Sequence, residues 1–173
     1  MSLLPAVRNA EETQGMQYLT FTLGDELFGI PIDRVREILE YVDPTPIPMM
    51  PQFLRGVINL RGAVVPVIDL QSRFGRGLTD VARRSCFVIV EVEHDGTPHP
   101  LGVLVDAVNE VISVDRSRLE AKPTFGTRIR ADFVDGILNL EKNFVVTLDV
   151  KQVLSVEELA TLIGLASENA GGN

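Results

Sequence analysis

Residues 53–70 read FLRGVINLRGAVVPVIDL, and residues 133–150 read FVDGILNLEKNFVVTLDV. Phe, Gly, Asn, Leu and Asp recur without a gap at an offset of 80 residues. A second pair of blocks, FGIPIDRVREIL (28–39) and LGVLVDAVNEVI (101–112), matches at an offset of 73, aligning Gly29 with Gly102, Asp33 with Asp106 and Glu37 with Glu110. The blocks keep their order, and the difference in offset (80 less 73) leaves seven more residues in the middle connection of the second half. Shared special residues, and not only shared apolar ones, restrict the chain to two like units. Units of roughly 65 residues bury too little apolar surface to be secure alone. The two must therefore pack together along a seam, the kind of concave apolar place where peptide-sized partners dock.

Within each half the pattern is that of short strands. YLTFTLGDELFGIPI alternates large apolar with small or polar residues around a Gly24-Asp25 turn. Asp33-Arg34-Val35 breaks the alternation as one helical turn does, and EILEYV is extended again. Prolines between Pro44 and Pro51 forbid regular helix or a central strand there. PQFLRG is expected to form a short helical turn, followed by the hairpin VINLRGAVVPVIDL. SCFVIVEVEHDGTPHPLGVLV makes a second hairpin at Asp95-Gly96. Near the end, LSVEELATLIGL carries a capping box at Ser155 and Glu158 and an apolar face of Val156, Leu159, Leu162 and Ile163, which predicts a helix over 155–165. Residues 1–15 and 166–173 are aperiodic, a flexible arm and a flexible tail. The remainder divides by expectation into a first barrel at 27–85 and a second made of 16–26 plus 86–153.

Composition narrows the function classes. The formal charge is −8 and the pI about 4.8, which argues against nucleic acid, whose affinity rests on clustered Lys and Arg. The 8 Phe and 2 Tyr fall mostly in core-like positions and offer no stacking platform. Cys86 stands alone in the apolar run CFVIV and reads as a buried thiol. No apolar run reaches the roughly 20 residues a membrane-spanning helix needs. The first residues lack the basic-then-apolar order of a signal peptide. A cytoplasmic protein is expected.

Nothing nominates an enzyme. His94 and His99 lie in or beside the HDGTPHP turn at a spacing foreign to metal sites, and neither a metal nor a cofactor is expected. Asp69 and Asp149 are repeat mates at strand ends, where turn formation explains them better than a catalytic dyad. Gly75-Arg76-Gly77 reads as a flexible turn. The one corner that diverges between copies is Arg61-Gly62 against Glu141-Lys142. If the copies fold alike, Glu37 can pair with Arg61, while their mates Glu110 and Glu141 are both acids.

FTLGDELFGIPIDRVREI, FLRGVINLRGAVVPVIDL and LGVLVDAVNEV together resemble the CheW family of chemotaxis coupling proteins, over about residues 16–165. The stretch from Gly56 to Gly62, followed by Val65-Pro66-Val67-Ile68-Asp69-Leu70, is the most specific part. The resemblance implies a mainly β fold of two pseudo-duplicated, five-stranded SH3-like barrels packed side by side, with a short C-terminal helix. It implies a non-catalytic adaptor that binds the tips of methyl-accepting chemotaxis receptors and a CheA-type histidine kinase. Such an adaptor would reach membrane arrays through these partners and not by inserting in the bilayer. Val35, Glu37, Arg61 and Val64 match positions that engage the receptor or shape its groove. Gly56, Asn59 and Gly62 match structural turn positions of the hairpin. The Pro-rich connector YVDPTPIPMMP departs from the family pattern, and its Met49 and Met50 are candidates for core filling or for adaptable contact.

The alternatives are an adaptor of a parallel chemosensory system, for twitching motility or surface signalling, and more remotely a small-barrel nucleic-acid binder. A regulator with a receiver domain after this one, and the kinase itself, are not expected, since the chain has no segment for a receiver or for ATP.

Overall fold

In the computed structural model, residues 15–120, 131–155 and 158–164 are described. Most of the expected arm and all of the tail lie outside them. The chain runs β1 (Met16–Leu23), β2 (Glu26–Pro31), β3 (Val35–Glu40), β4 (Leu54–Leu60), β5 (Ala63–Asp69), helix α1 (Leu70–Arg73), β6 (Cys86–His94), β7 (Thr97–Val105), β8 (Ala107–Val114), β9 (Leu119–Glu120), β10 (Val134–Leu140) and β11 (Asn143–Leu148). Residues 158–164 are helical.

The strands form two sheets, ordered β8-β1-β2-β11-β10-β9 and β3-β6-β7-β5-β4. The first has five longer strands and the two-residue β9. The duplication appears directly in the register. Gly56 faces Val67 and Leu60 faces Ala63; their mates Gly136 and Leu140 face Thr147 and Asn143. The one parallel pairing in each sheet repeats too: Val67 beside Gly102, and Thr147 beside Gly29.

Those parallel pairs show that the halves trade hairpins. β1–β2, from the first half, adds to β8, β10 and β11 of the second; β6–β7, from the second, adds to β3, β4 and β5 of the first. This corrects the expected division. A boundary between residues 26 and 27 would cut the β1–β2 hairpin, whose tight turn pairs Leu23 with Glu26. Residues 86–105 belong with the 35–69 strands, not with a second barrel. Alternation of apolar residues says which face a strand buries, and nothing about which neighbour it pairs with.

Each unit keeps its own interior. Ile58, Val65, Val67, Phe87, Ile89 and Leu104 cluster in one; Tyr18, Val114, Leu138 and Val145 in the other. The largest cluster draws on both sheets, with Phe21, Phe28, Ile38, Val88, Phe133 and Leu148 among its members. The seam is thus mainly a shared core. The C-terminal helix closes over it: Ser155 N donates to Glu158 Oε1 (2.7 Å) and Glu158 N to Ser155 Oγ (3.0 Å), the capping box read from sequence.

Two local readings change. PQFLRG forms only a turn at 52–53, with Leu54 N donating to Pro51 O, and the strand starts at Leu54. The Pro-rich connector bridges to β4 through Thr45, whose N and O both bond Val57 (2.8 and 2.9 Å). In the other sheet β9 plays this part, pairing Glu120 with Ile137. The crossing explains the duplicated glycine. A Cβ on Gly56 would stand 2.2 Å from Thr45 O, and one on Gly136 would stand 2.8 Å from Glu120 O. Gly56 also has φ +140, which side chains rarely adopt.

Strand ends repeat as well. Asp69 N donates to Phe53 O (2.7 Å), and Asp149 N to Phe133 O (3.0 Å). Asp69 is completely buried and caps α1 through Ser72 N (3.2 Å). It also accepts from Thr79 N and Thr79 Oγ1 (both 2.8 Å) and from Arg55 (3.2 Å).

Three substitutions test this packing, each measured by denaturant unfolding. Gly56→Ala should destabilise by about 1–3 kcal/mol or more, through displacement of the Thr45 carbonyl. Gly62→Ala, with open space around its Cβ but φ +87, should cost only about 1–2 kcal/mol. Asp69→Ala, which strands Arg55 and the Thr79 donors, should cost about 3–5 kcal/mol.

Candidate functional site

The corner singled out by sequence is a built structure. Arg61 (φ 51) and Gly62 (φ 87) are the two residues joining β4 to β5, both left-handed, the geometry of a two-residue hairpin matched to strand twist. Asn59 Oδ1 accepts from Gly62 N (3.0 Å) and holds the turn. On β3 the register slips between Val35 and Glu37, a bulge that re-aims the strand. The Arg61 guanidinium then meets the Glu37 carboxylate in a two-pronged pair: Nη1 to Oε2 and Nη2 to Oε1, each 2.6 Å. Arg61 is 66% exposed and Glu37 only 8%, so the arginine lies over the acid like a lid. Because β3 and β4 are the outer strands of their sheet, the pair ties one edge to the other across the barrel end.

Electrostatics agree with the geometry. The hydrogen bonds from Arg61 hold the Glu37 carboxyl below the ordinary glutamate range; burial pushes the other way, and the Arg61 charge adds to the lowering. The bonds to Glu37 likewise raise Arg61 above its already high value.

The second copy inverts this corner. Among the described residues, positive φ outside glycine occurs at Met49, Arg61 and Asp95, so Glu141-Lys142 turns without it. Glu141 meets Arg118 at 3.9 Å, an exposed pair worth little. Asn139, the mate of Asn59, donates to Glu120 Oε2 (2.9 Å) instead of supporting its turn. Glu110 is held through its backbone, its N donating to Thr20 Oγ1 and its O accepting from the same hydroxyl. One barrel end thus carries an arginine over a buried glutamate on a left-handed turn, while at the other Glu141 makes the looser contact with Arg118.

The remaining site candidates separate. Val35 is half-buried against the shared core. Val64 is half-buried too, but lines a small apolar cavity with Pro66, Leu101 and the helical residues Leu159, Leu162 and Ile163. Met50 packs on the core, while Met49 is 99% exposed. The His94 and His99 rings lie 6.4 Å apart at a steep tilt, with Asp95 at 3.5 Å from His94; no group of metal-ligating residues occurs among the described residues. Cys86 is buried, which pushes its thiol up to about 11.

Sequence reasoning missed Arg73. Its guanidinium lies over Phe53 (4.7 Å) and Phe133 (5.2 Å), which are repeat mates, while Nε donates to Val153 O (2.6 Å) and Nη2 meets Glu158 (3.0 Å). One arginine thus pins the C-terminal cap to the midline of the duplication. It has no counterpart in the second half's sequence pattern, and no motif points to it.

The fold is a mainly β pair of barrels with exchanged hairpins, carrying one rigid charged corner. Residues 17–158 match the CheW-like domain model, and the chain belongs to the CheW-like family. It is 31% identical over 160 residues to the chemotaxis protein CheW of Klebsiella aerogenes, covering 92% of this chain and 94% of that one. With the chemotaxis protein CheW of Treponema pallidum it shares 33% over 168 residues, 94% of each. The crystal structure of the scaffolding protein TtCheW from Thermoanaerobacter tengcongensis superposes with a TM-score of 0.75 at 36% identity, covering 83% of this chain and 97% of that one.

The pairing has a titration signature. A depressed folded pKa means that Glu37 contributes stability above its unfolded value and loses it as pH falls through the folded one. Carboxyl-detected NMR should therefore place Glu37 below the exposed glutamates. In Arg61→Ala its midpoint should move up, because the hydrogen bonds are lost while some burial stays. An unmoved midpoint would show that Arg61 does not set it.

Proposed function

We propose that this protein is a non-catalytic chemotaxis adaptor, coupling the tips of methyl-accepting receptors to a CheA-type histidine kinase in a signalling array. The observation that carries the reading is the CheW-like match over nearly the whole folded chain. The Glu37–Arg61 corner supplies the means: a half-exposed guanidinium with fixed orientation is a specific contact for a partner helix. Val35 precedes Glu37 at the bulge of β3, and Val64 lies on β5 just after the Arg61-Gly62 turn. The shared core gives a stiff body on which two partners are held at a constant separation. No described helix is long and apolar enough to cross a membrane, and recruitment to the membrane proceeds through the receptors.

The test is reconstitution with receptor-containing membranes and a CheA-type kinase. Arg61→Glu places a second acid over Glu37 and should cut receptor-dependent kinase activation by about tenfold or more, the scale of a lost interface arginine. Its circular dichroism and unfolding midpoint serve as the folding control. Full activation by the folded variant would remove Arg61 from the contact. The protein alone should show no phosphoryl transfer or hydrolysis, and turnover that follows the pure protein through purification would overturn the adaptor reading.

A further inference from the structure

Arg36, Arg55, Arg61, Arg73, Arg76 and Arg118 each face a carboxylate. Arg83 and Arg84, like Arg34, Arg116, Lys142 and Lys151, form no ion pair among the described residues, but they alone of these stand side by side, in a chain whose 24 acids outnumber its 16 Lys and Arg. Both are exposed, yet their backbone is fixed. They occupy the centre of a closed turn in which Ser85 N donates to Ala82 O (3.1 Å) and Ala82 N donates to Ser85 Oγ (2.8 Å), with Ser85 buried. Two adjacent guanidiniums displayed on a closed turn need little backbone ordering to meet a ligand.

The turn walls a cleft of about 530 Å³, whose other sides are Ile38, Glu40 and Tyr41 at the end of β3 and Val108 and Asn109 at the start of β8. β3 and β8 are repeat mates and the outer strands of their sheets, so the cleft opens where the two barrels meet. Its floor is firm, since the Tyr41 ring packs on Phe87 with centroids 5.3 Å apart. Guanidiniums select carboxylates and phosphates by their paired donors. The acidic balance of the whole chain disfavours a polyanion such as nucleic acid and leaves a short acidic segment of a protein as the matching ligand.

We infer that the Arg83–Arg84 turn is a specificity contact, selecting receptor tips whose docked helical face presents carboxylates to the cleft between the barrels. The inference rests on the adaptor reading and adds to it which tips are chosen. Charged rim contacts of this kind act mainly on association rate and on partner choice.

The test is binding of a soluble receptor-tip fragment to the full chain, as wild type, R83E/R84E and R61E, at two salt concentrations. At about 50 mM NaCl, R83E/R84E should bind roughly tenfold more weakly than wild type, and the gap should close near 0.5 M as screening shortens the range of charge. A tip fragment with its docked-face acids changed to Lys should reverse the order of the two proteins. Equal affinity and equal salt slope for wild type and R83E/R84E would overturn the inference. So would an arginine dependence found only with an oligonucleotide, an anionic vesicle or the kinase fragment. Loss of binding in R61E with none in R83E/R84E removes this contact and leaves the adaptor reading standing. A tip fragment that ignores the wild type sinks both.

Discussion

The parallel pairing of β5 with β7 and of β11 with β2 holds the rest of the structure in place. Each joins a hairpin from one half of the chain to a hairpin from the other. Without them, β4–β5 would be left as a two-stranded ribbon and β10–β11 with only the two-residue β9 beside it, and isolated ribbons are marginal in water. With them, two sheets form whose largest apolar cluster belongs to neither half alone. The exchange also answers the size problem of small barrels, since the surface each would leave open is buried against the other.

The duplication was then free to diverge at its ends. Both copies retain the glycine under the crossing strand and the aspartate at the strand end, because a carbonyl approaches the first and backbone N–H groups need the second. The hairpin corner is under no such constraint. One copy set an arginine in a left-handed conformation, which costs energy that its two bonds to Glu37 offset. The other kept an ordinary turn and a loose surface pair. Asymmetry in a nearly two-fold body gives it two distinguishable faces, which the proposed coupling of two unlike partners requires.

Much of this was legible in the residues. The repeat offsets of 80 and 73 reappear as strand registers. The Glu37–Arg61 pair follows from comparing each residue with its mate, since a charge that changes sign between equivalent positions marks a changed environment. The exchange of hairpins was not legible: alternation encodes a strand's buried face but not its neighbour, and the pairings of β2 with β11, β7 with β5, β1 with β8 and β6 with β3 reveal it. Arg73 was hidden for a related reason. Its partners Phe53, Phe133, Val153 and Glu158 come from three distant segments, so no window of sequence holds the pattern.

The traded hairpins also set an order of events during synthesis. β2 finds its parallel neighbour only in β11, whose first residue is Asn143. At about 5–20 residues per second, the hairpin spanning residues 16–31 is exposed for roughly 5–25 seconds before that strand is made. Its buried face includes Leu19, Phe21 and Phe28, all apolar and all waiting. The sheet of β3 to β7 has all its strands by Val105, whereas the sheet that holds β1 and β2 closes only with β11, and a nascent chain interrupted between the two is left with apolar strand edges open to aggregation.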